Sequence, residues 1–119
     1  MIEVTVSPTR IPVGAPVDLE IRLTNSGQGA YLNVIFTIRL PVGIIRLRGP
    51  DRITVSKLPP GESITSPLRV RADSAGRYQL TSPNFSYRDH TGRAQRRTGF
   101  SAEIMVDPEP IPAPKWVAP

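Results

Sequence analysis

The chain has no cysteine, one histidine, one tryptophan and only two lysines among its 119 residues. Without cysteine there is no structural disulfide, no thiolate nucleophile and no zinc site of the usual sulfur kind. No apolar run approaches the ~20 residues that a membrane-spanning helix needs. Met1 leads straight into a strand pattern rather than into the basic and apolar regions of a secretory signal. No stretch sustains a helical period, and no glycine-rich loop opens a helix, which excludes a phosphate cradle of that kind.

Catalytic chemistry is equally sparse. His90 falls in a predicted turn beside Asp89, and Ser86 or Ser101 would have to complete a Ser-His-Asp arrangement. Adjacent residues in a turn rarely have the orientation that such a triad demands. Asp51, Asp73, Asp89 and Asp107 are dispersed, each near a turn where an aspartate caps backbone groups. The expectation is a chain that is not an enzyme and has no catalytic residues, no cofactor and no metal site.

What the sequence does contain is a strict two-residue alternation. In 17–24 every odd residue is apolar and every even one polar or charged, and 32–40, 2–6 and 100–106 repeat the pattern. Side chains alternate faces along a strand, so each segment is a strand with one dry and one wet face. Strands are expected at about 2–6, 17–24, 32–40, 44–47, 53–55, 63–72, 78–87 and 95–106. Pro8, Pro12 and Pro16 form a kinked connection, because proline cannot donate to a ladder. The phase changes by one residue across Ser82-Pro83-Asn84, which implies a bulge, and Asp89-His90-Thr91-Gly92 forms a hairpin turn with Gly92 at positive φ. Seven or eight such strands predict an all-β, immunoglobulin-like sandwich of two antiparallel sheets. Its core includes Val4, Leu19, Leu23, Phe36, Tyr78 and Ile104. The sandwich is expected over residues 1–107. In 108–119, five of twelve residues are proline, which marks a linker or tail.

The run Pro12-Val13-Gly14 followed by Val17, Leu19, Ile21, Leu23, Asn25 and Gly27 resembles the opening of bacterial immunoglobulin-like modules of the CARDB (cell-adhesion-related) kind. Asn33-Val34, Leu40-Pro41-Val42-Gly43 and Leu58-Pro59-Pro60-Gly61-Glu62 fit as well. The stretch 75–80, followed by Tyr87-Arg88-Asp89 and Gly92, is similar to sandwich segments found beside von Willebrand A-type domains. Gly76 and Tyr78 have the look of a tyrosine corner, and Asn25 with Gly27 that of a capped turn with positive φ. The resemblance implies a β-sandwich in a larger bacterial multidomain protein, and an envelope or extracytoplasmic setting. It brings no catalytic residue.

The charge is the remaining chemical signal. The net charge is +5, and arginine outnumbers lysine thirteen to two. Arg88, Arg93, Arg96 and Arg97 bracket the last hairpin and are expected to converge at one end of the sandwich. Arg46, Arg48 and Arg52 form a second group. Guanidinium clusters bind acidic protein surfaces or phosphate backbones through charge-assisted contacts. Base stacking calls for exposed aromatics, and Phe36, Phe100, Tyr78 and Tyr87 are expected to face inward, leaving Tyr31 and Trp116 outside. The expected role is a non-catalytic protein-interaction or spacer module whose partner is another protein or a neighbouring domain, meeting it at Arg88, Arg93, Arg96 and Arg97. The alternatives are an anion or nucleic-acid binder and a carbohydrate- or envelope-binding module.

Overall fold

The alternation is realised as ten strands in the computed structural model, which describes residues 1–108. They are β1 (Ile2–Ser7), β2 (Arg10–Pro12), β3 (Val17–Asn25), β4 (Tyr31–Arg39) and β5 (Ile44–Arg48), then β6 (Arg52–Leu58), β7 (Ser63–Ala72), β8 (Gly76–Arg88), β9 (Ala94–Arg97) and β10 (Ser101–Asp107). No described residue is helical. One sheet has the order β1–β3–β7–β5; the other has the order β2–β10–β8–β4–β6, with β9 also paired to β8. The chain is an all-β, immunoglobulin-like sandwich. Residues 109–119, including Trp116, lie outside the described residues.

The count of ten corrects the expected seven or eight at two places. The proline-rich connection after β1 holds a strand of its own, in which Arg10, Ile11 and Pro12 pair with Met105, Val106 and Asp107. This pairing is parallel, so the sheets are not wholly antiparallel. Three residues between prolines carry too little alternation to be seen, yet Ile11 is buried. Pro12, with no N–H to offer, stands on an edge strand where proline is tolerated. The expected strand 95–106 is likewise interrupted at Thr98-Gly99-Phe100.

That interruption faces the bulge in β8. Thr81 pairs with Ser101 and Phe85 with Arg97, so three residues on each side leave the ladder and pairing resumes in the same register. Leu80 and Phe85, one even and one odd, are therefore both buried. β4 carries a second bulge at Asn33, whose φ of 50° places it in the left-handed region that asparagine tolerates best among ordinary residues. This reverses the expected facing at the start of β4. Tyr31 packs on the core, its ring edge-on to Tyr87 at 5.0 Å, while Leu32 is half-buried outside the core.

Between the sheets lies one continuous apolar core. Phe36 is fully buried and meets Phe85 and Phe100 edge-on at 5.1 and 5.2 Å. Val4 and Tyr78, expected inside, are only half-buried against it. The Tyr78 hydroxyl donates to the Ser74 carbonyl at 2.8 Å, forming the expected corner at the entry to β8.

Asn25 ties the sheets together at one end. It is the only buried polar residue among those described, at 0% exposure. Its Nδ2 donates to the carbonyls of Gly29 and Leu58, both at 2.9 Å, and its Oδ1 accepts from Gly27 N at 2.9 Å. Its backbone N–H donates to Glu62 O at 3.0 Å and its carbonyl accepts from Gly61 N at 2.7 Å. Gly27 does not have the expected positive φ. Glycine is required there by crowding, because a Cβ would stand 2.4 Å from the Met1 nitrogen.

Replacing Asn25 with alanine strands two carbonyls and one N–H in a dry site, each costing roughly 1–3 kcal/mol. We expect Asn25→Ala to lower unfolding free energy by more than about 2 kcal/mol in urea titrations. Val42→Ala, at a residue that is 99% exposed, should change it by less than about 0.5 kcal/mol. Equal stability of the two variants would show that Asn25 is not the tie described.

Candidate protein-binding face

The outer face of β6–β4–β8–β9 follows from strand register. Lys57 pairs with Leu32, Leu32 with Arg88, and Arg88 with Ala94. The next outward row runs Thr54–Ile35–Ser86–Arg96, and a third runs Arg52–Thr37–Asn84. Leu32 and Ile35 are half-buried near the centre, while Arg52, Lys57, Arg88 and Arg96 are exposed around them. Shallow depressions of about 400 and 320 Å³ flank Asn33 and Ile35, one toward β6 and one toward β8 and β9.

Charge is distributed unevenly over the sandwich. No aspartate or glutamate occurs in β4, β6, β8 or β9. The other strands hold the acids that pair with arginine: Asp18 with Arg69, Glu20 with Arg22, Glu103 with Arg77 and Asp107 with Arg10. Asp73, just beyond β7, pairs with Arg71. Arg52, Lys57, Arg88, Arg93 and Arg96 have no ion pair among the described residues. Exposed guanidinium groups without carboxylate partners remain open to an external anion.

The four arginines expected to converge do so only in part. Arg88 and Arg96 share the outer face, and Arg93 is exposed at the foot of the hairpin. Arg97 points the other way. It is half-buried, its guanidinium stacks 5.0 Å from the Phe85 ring centre, and Nη1 donates to the Ile2 carbonyl of the opposite sheet. It is a clasp between sheets that alternation did not reveal: Arg96 and Arg97 must face opposite ways, but the even-numbered inward phase of 100–106 would have turned Arg96 inward, and the phase flips across Thr98-Gly99-Phe100. Of the second group, Arg46 and Arg48 lie on β5 and Arg52 on β6, in different sheets.

The hairpin that carries Arg88 and Arg93 is held by Asp89. Its Oδ1 accepts from the N–H groups of Thr91 and Arg93, both at 3.0 Å, and from the Thr91 hydroxyl. Gln95 Nε2 donates to Oδ2 at 3.3 Å, and Arg88 Nη1 donates to the Gly92 carbonyl at 3.1 Å. Gly92 has the expected positive φ, 85°. Bonding to the Thr91 hydroxyl, aided by Arg93 N–H, Gln95 and Thr91 N–H, lowers the Asp89 carboxyl to about 2 despite partial desolvation. Both Asp89 oxygens are thus engaged within their own turn. His90 lies against Gly29 of the neighbouring loop.

Comparisons with known proteins bear on the fold. No protein-family profile matches the sequence, and no curated protein resembles it closely enough to count as a relative. Solved structures do match. The OlpC cohesin of a type I cohesin–dockerin complex from Clostridium thermocellum superposes with a TM-score of 0.65 at 10% identity, over 92% of this chain and 95% of that one. The seventh ScaB type I cohesin from Pseudobacteroides cellulosolvens gives 0.65 at 12%, over 96% and 95%. A non-cellulosomal cohesin from Archaeoglobus fulgidus gives 0.55 at 12%, over 89% and 91%. At these identities the likeness is one of β-sandwich fold.

A carboxyl held below its ordinary 3.8 contributes stability above that pH, and loses it as the pH falls through about 2. We expect the Thr91 and Arg93 amide resonances to titrate with a midpoint near 2. A midpoint near 3.8 would contradict the bonded turn. Charge reversal should likewise separate neighbours: Arg97→Glu should depress the melting temperature, whereas Arg96→Glu should leave it within about 2 °C. Equal losses would refute the clasp.

Proposed function

We propose that this chain is a non-catalytic protein-interaction module of a larger bacterial multidomain protein, engaging an acidic partner surface through the outer face of β6–β4–β8–β9. The observation that carries this reading is the segregation of charge: four adjacent strands without a carboxylate present exposed cations around an apolar centre. Charge complementarity of this kind steers encounter and selects partners, while a desolvated apolar centre contributes affinity. Arg88, Arg93 and Arg96 are its partner-binding residues, and Leu32 and Ile35 its apolar contacts.

Two further considerations support it. Structural neighbours at TM-scores of 0.64 and 0.65 come from complexes of a cohesin with a dockerin, so the sandwich fold is used elsewhere to bind a protein domain. The CARDB-like turn motifs, together with the proline-rich 108–119, accord with a module linked to others. Nucleic-acid recognition has weaker support, because the ring faces it would need are spent on the core: Tyr31, Tyr87 and Phe100 all pack there.

The test is affinity capture from source-cell lysate with two baits, the native chain and one carrying Arg88→Glu, Arg93→Glu and Arg96→Glu. Arg97 stays native in both, since it holds the sheets together. An acidic protein enriched by the first bait and lost at least tenfold from the second is the expected result. Equal capture by both would overturn the assigned face. Capture only of nucleic acid, released by moderate salt, would replace the protein reading with the phosphate-binding one.

A further inference from the structure

A different part of the sandwich has features that this face does not use. Met1 aside, the exposed large hydrophobic residues among those described are Val42, Ile45 and Leu47. Ile45 and Leu47, at 39% and 42% exposure, lie on β5, and Val42 lies in the turn leading into it. β5 ends its sheet, so one row of its backbone N–H and C=O groups has no partner strand. Beside it is a depression of about 280 Å³ whose walls include Thr37, Arg39, Arg46, Asp51 and Pro83. Neither Arg39 nor Arg46 has an ion pair among the described residues, and Thr37 Oγ1 is the one buried side-chain polar atom there without a hydrogen-bond partner.

We propose that the free edge of β5 receives an extended acidic segment of a partner protein as an added strand. Main-chain bonds to β5 supply the pairing, and alternate apolar side chains of the segment cover Ile45 and Leu47. A carboxylate of the segment enters the Arg39–Arg46 depression, where the Thr37 hydroxyl has a hydrogen bond to give. Asp51 leaves that site with net positive charge. The edge's own chemistry selects this occupant over a second copy of the chain. A β5–β5 pairing centred on Leu47, which would pair the two exposed leucines, sets Arg46 of each copy against Arg48 of the other, and like charges opposed across strands are unfavourable.

β5 belongs to the opposite sheet, and the depression, although Thr37 and Arg39 reach it from β4, includes none of Leu32, Ile35, Arg88, Arg93 and Arg96, so the two sites can fail separately. The probe is a fluorescein-labelled peptide, Ser-Val-Glu-Val-Asp-Val-Glu, titrated by anisotropy into the full chain, with amide resonances followed in parallel. Saturable binding is expected, with shifts and slowed hydrogen exchange at Ile44–Arg48. Arg39→Glu combined with Arg46→Glu should weaken it at least tenfold, while the Arg88, Arg93 and Arg96 reversals leave the mapped position unchanged. A peptide N-methylated at every residue has no amide hydrogen to give to that edge and should lose binding to the native chain, a control that needs no protein variant. The proposal is overturned if a lysine-for-acid peptide binds equally well, if the shifts map to Leu32, Ile35, Arg88 and Arg96 instead of β5, or if nothing binds at millimolar peptide. Concentration-dependent dimerisation with protection at β5 would also overturn it, in favour of a second copy.

Discussion

Asn25 is the point on which the rest of this sandwich is hung. Two sheets packed through apolar side chains alone have little to fix how far each loop travels before the chain crosses over. One buried asparagine sets that distance here: its side-chain amide joins the end of β3 to the Gly29 loop and to the last carbonyl of β6, and its backbone joins it to the turn into β7. Because an unsatisfied polar group in a dry interior is costly, every shifted arrangement of these loops is penalised along with the amide. The bonds therefore act as a specification of register as much as a source of stability. Tyr78 plays a similar part at the entry to β8, through a bond to Ser74 across one turn.

Arginine serves three separate physical purposes in the molecule. Some guanidinium groups are matched to carboxylates on exposed ladders, as in the Arg69–Asp18 pair across β7 and β3, where the Arg69 fork holds Asp18 below the usual carboxylate range. One is turned inward: Arg97 covers Phe85 and closes a backbone carbonyl of the facing sheet. The others stand unpaired, concentrated where acidic residues are missing. Composition counts all of these alike, and only register sorts them.

Most of the architecture was legible in the sequence because burial imposes a period of two. The strands at 17–24 and 63–72 fall where alternation puts them, and the Ser82-Pro83-Asn84 phase change is a real bulge. What escaped was whatever broke the period locally. A left-handed Asn33 reverses the facing of Tyr31 and Leu32, so an expected exposed aromatic went inside and a leucine that the alternation put on the dry face went out. β2 was too short to show a pattern, and the last strand gave no sign of its gap. For the candidate face, the lack of acids in four strands was visible all along. That these strands adjoin was not, since β8 and β4 are separated by three strands in the sequence and meet only in the fold.

The parallel pairing of β2 with β10 has a mechanical consequence. Tension applied toward the N-terminal end of β2 and the C-terminal end of β10 draws two parallel strands in opposite directions along their own axes. The three paired positions are then strained together instead of being peeled apart in turn. Arg10 bridges the same two strands, with Nε 2.9 Å from both oxygens of Asp107, so a side-chain link shares the load with the backbone. A force along this line meets the sandwich in shear, the direction in which a ladder yields least readily.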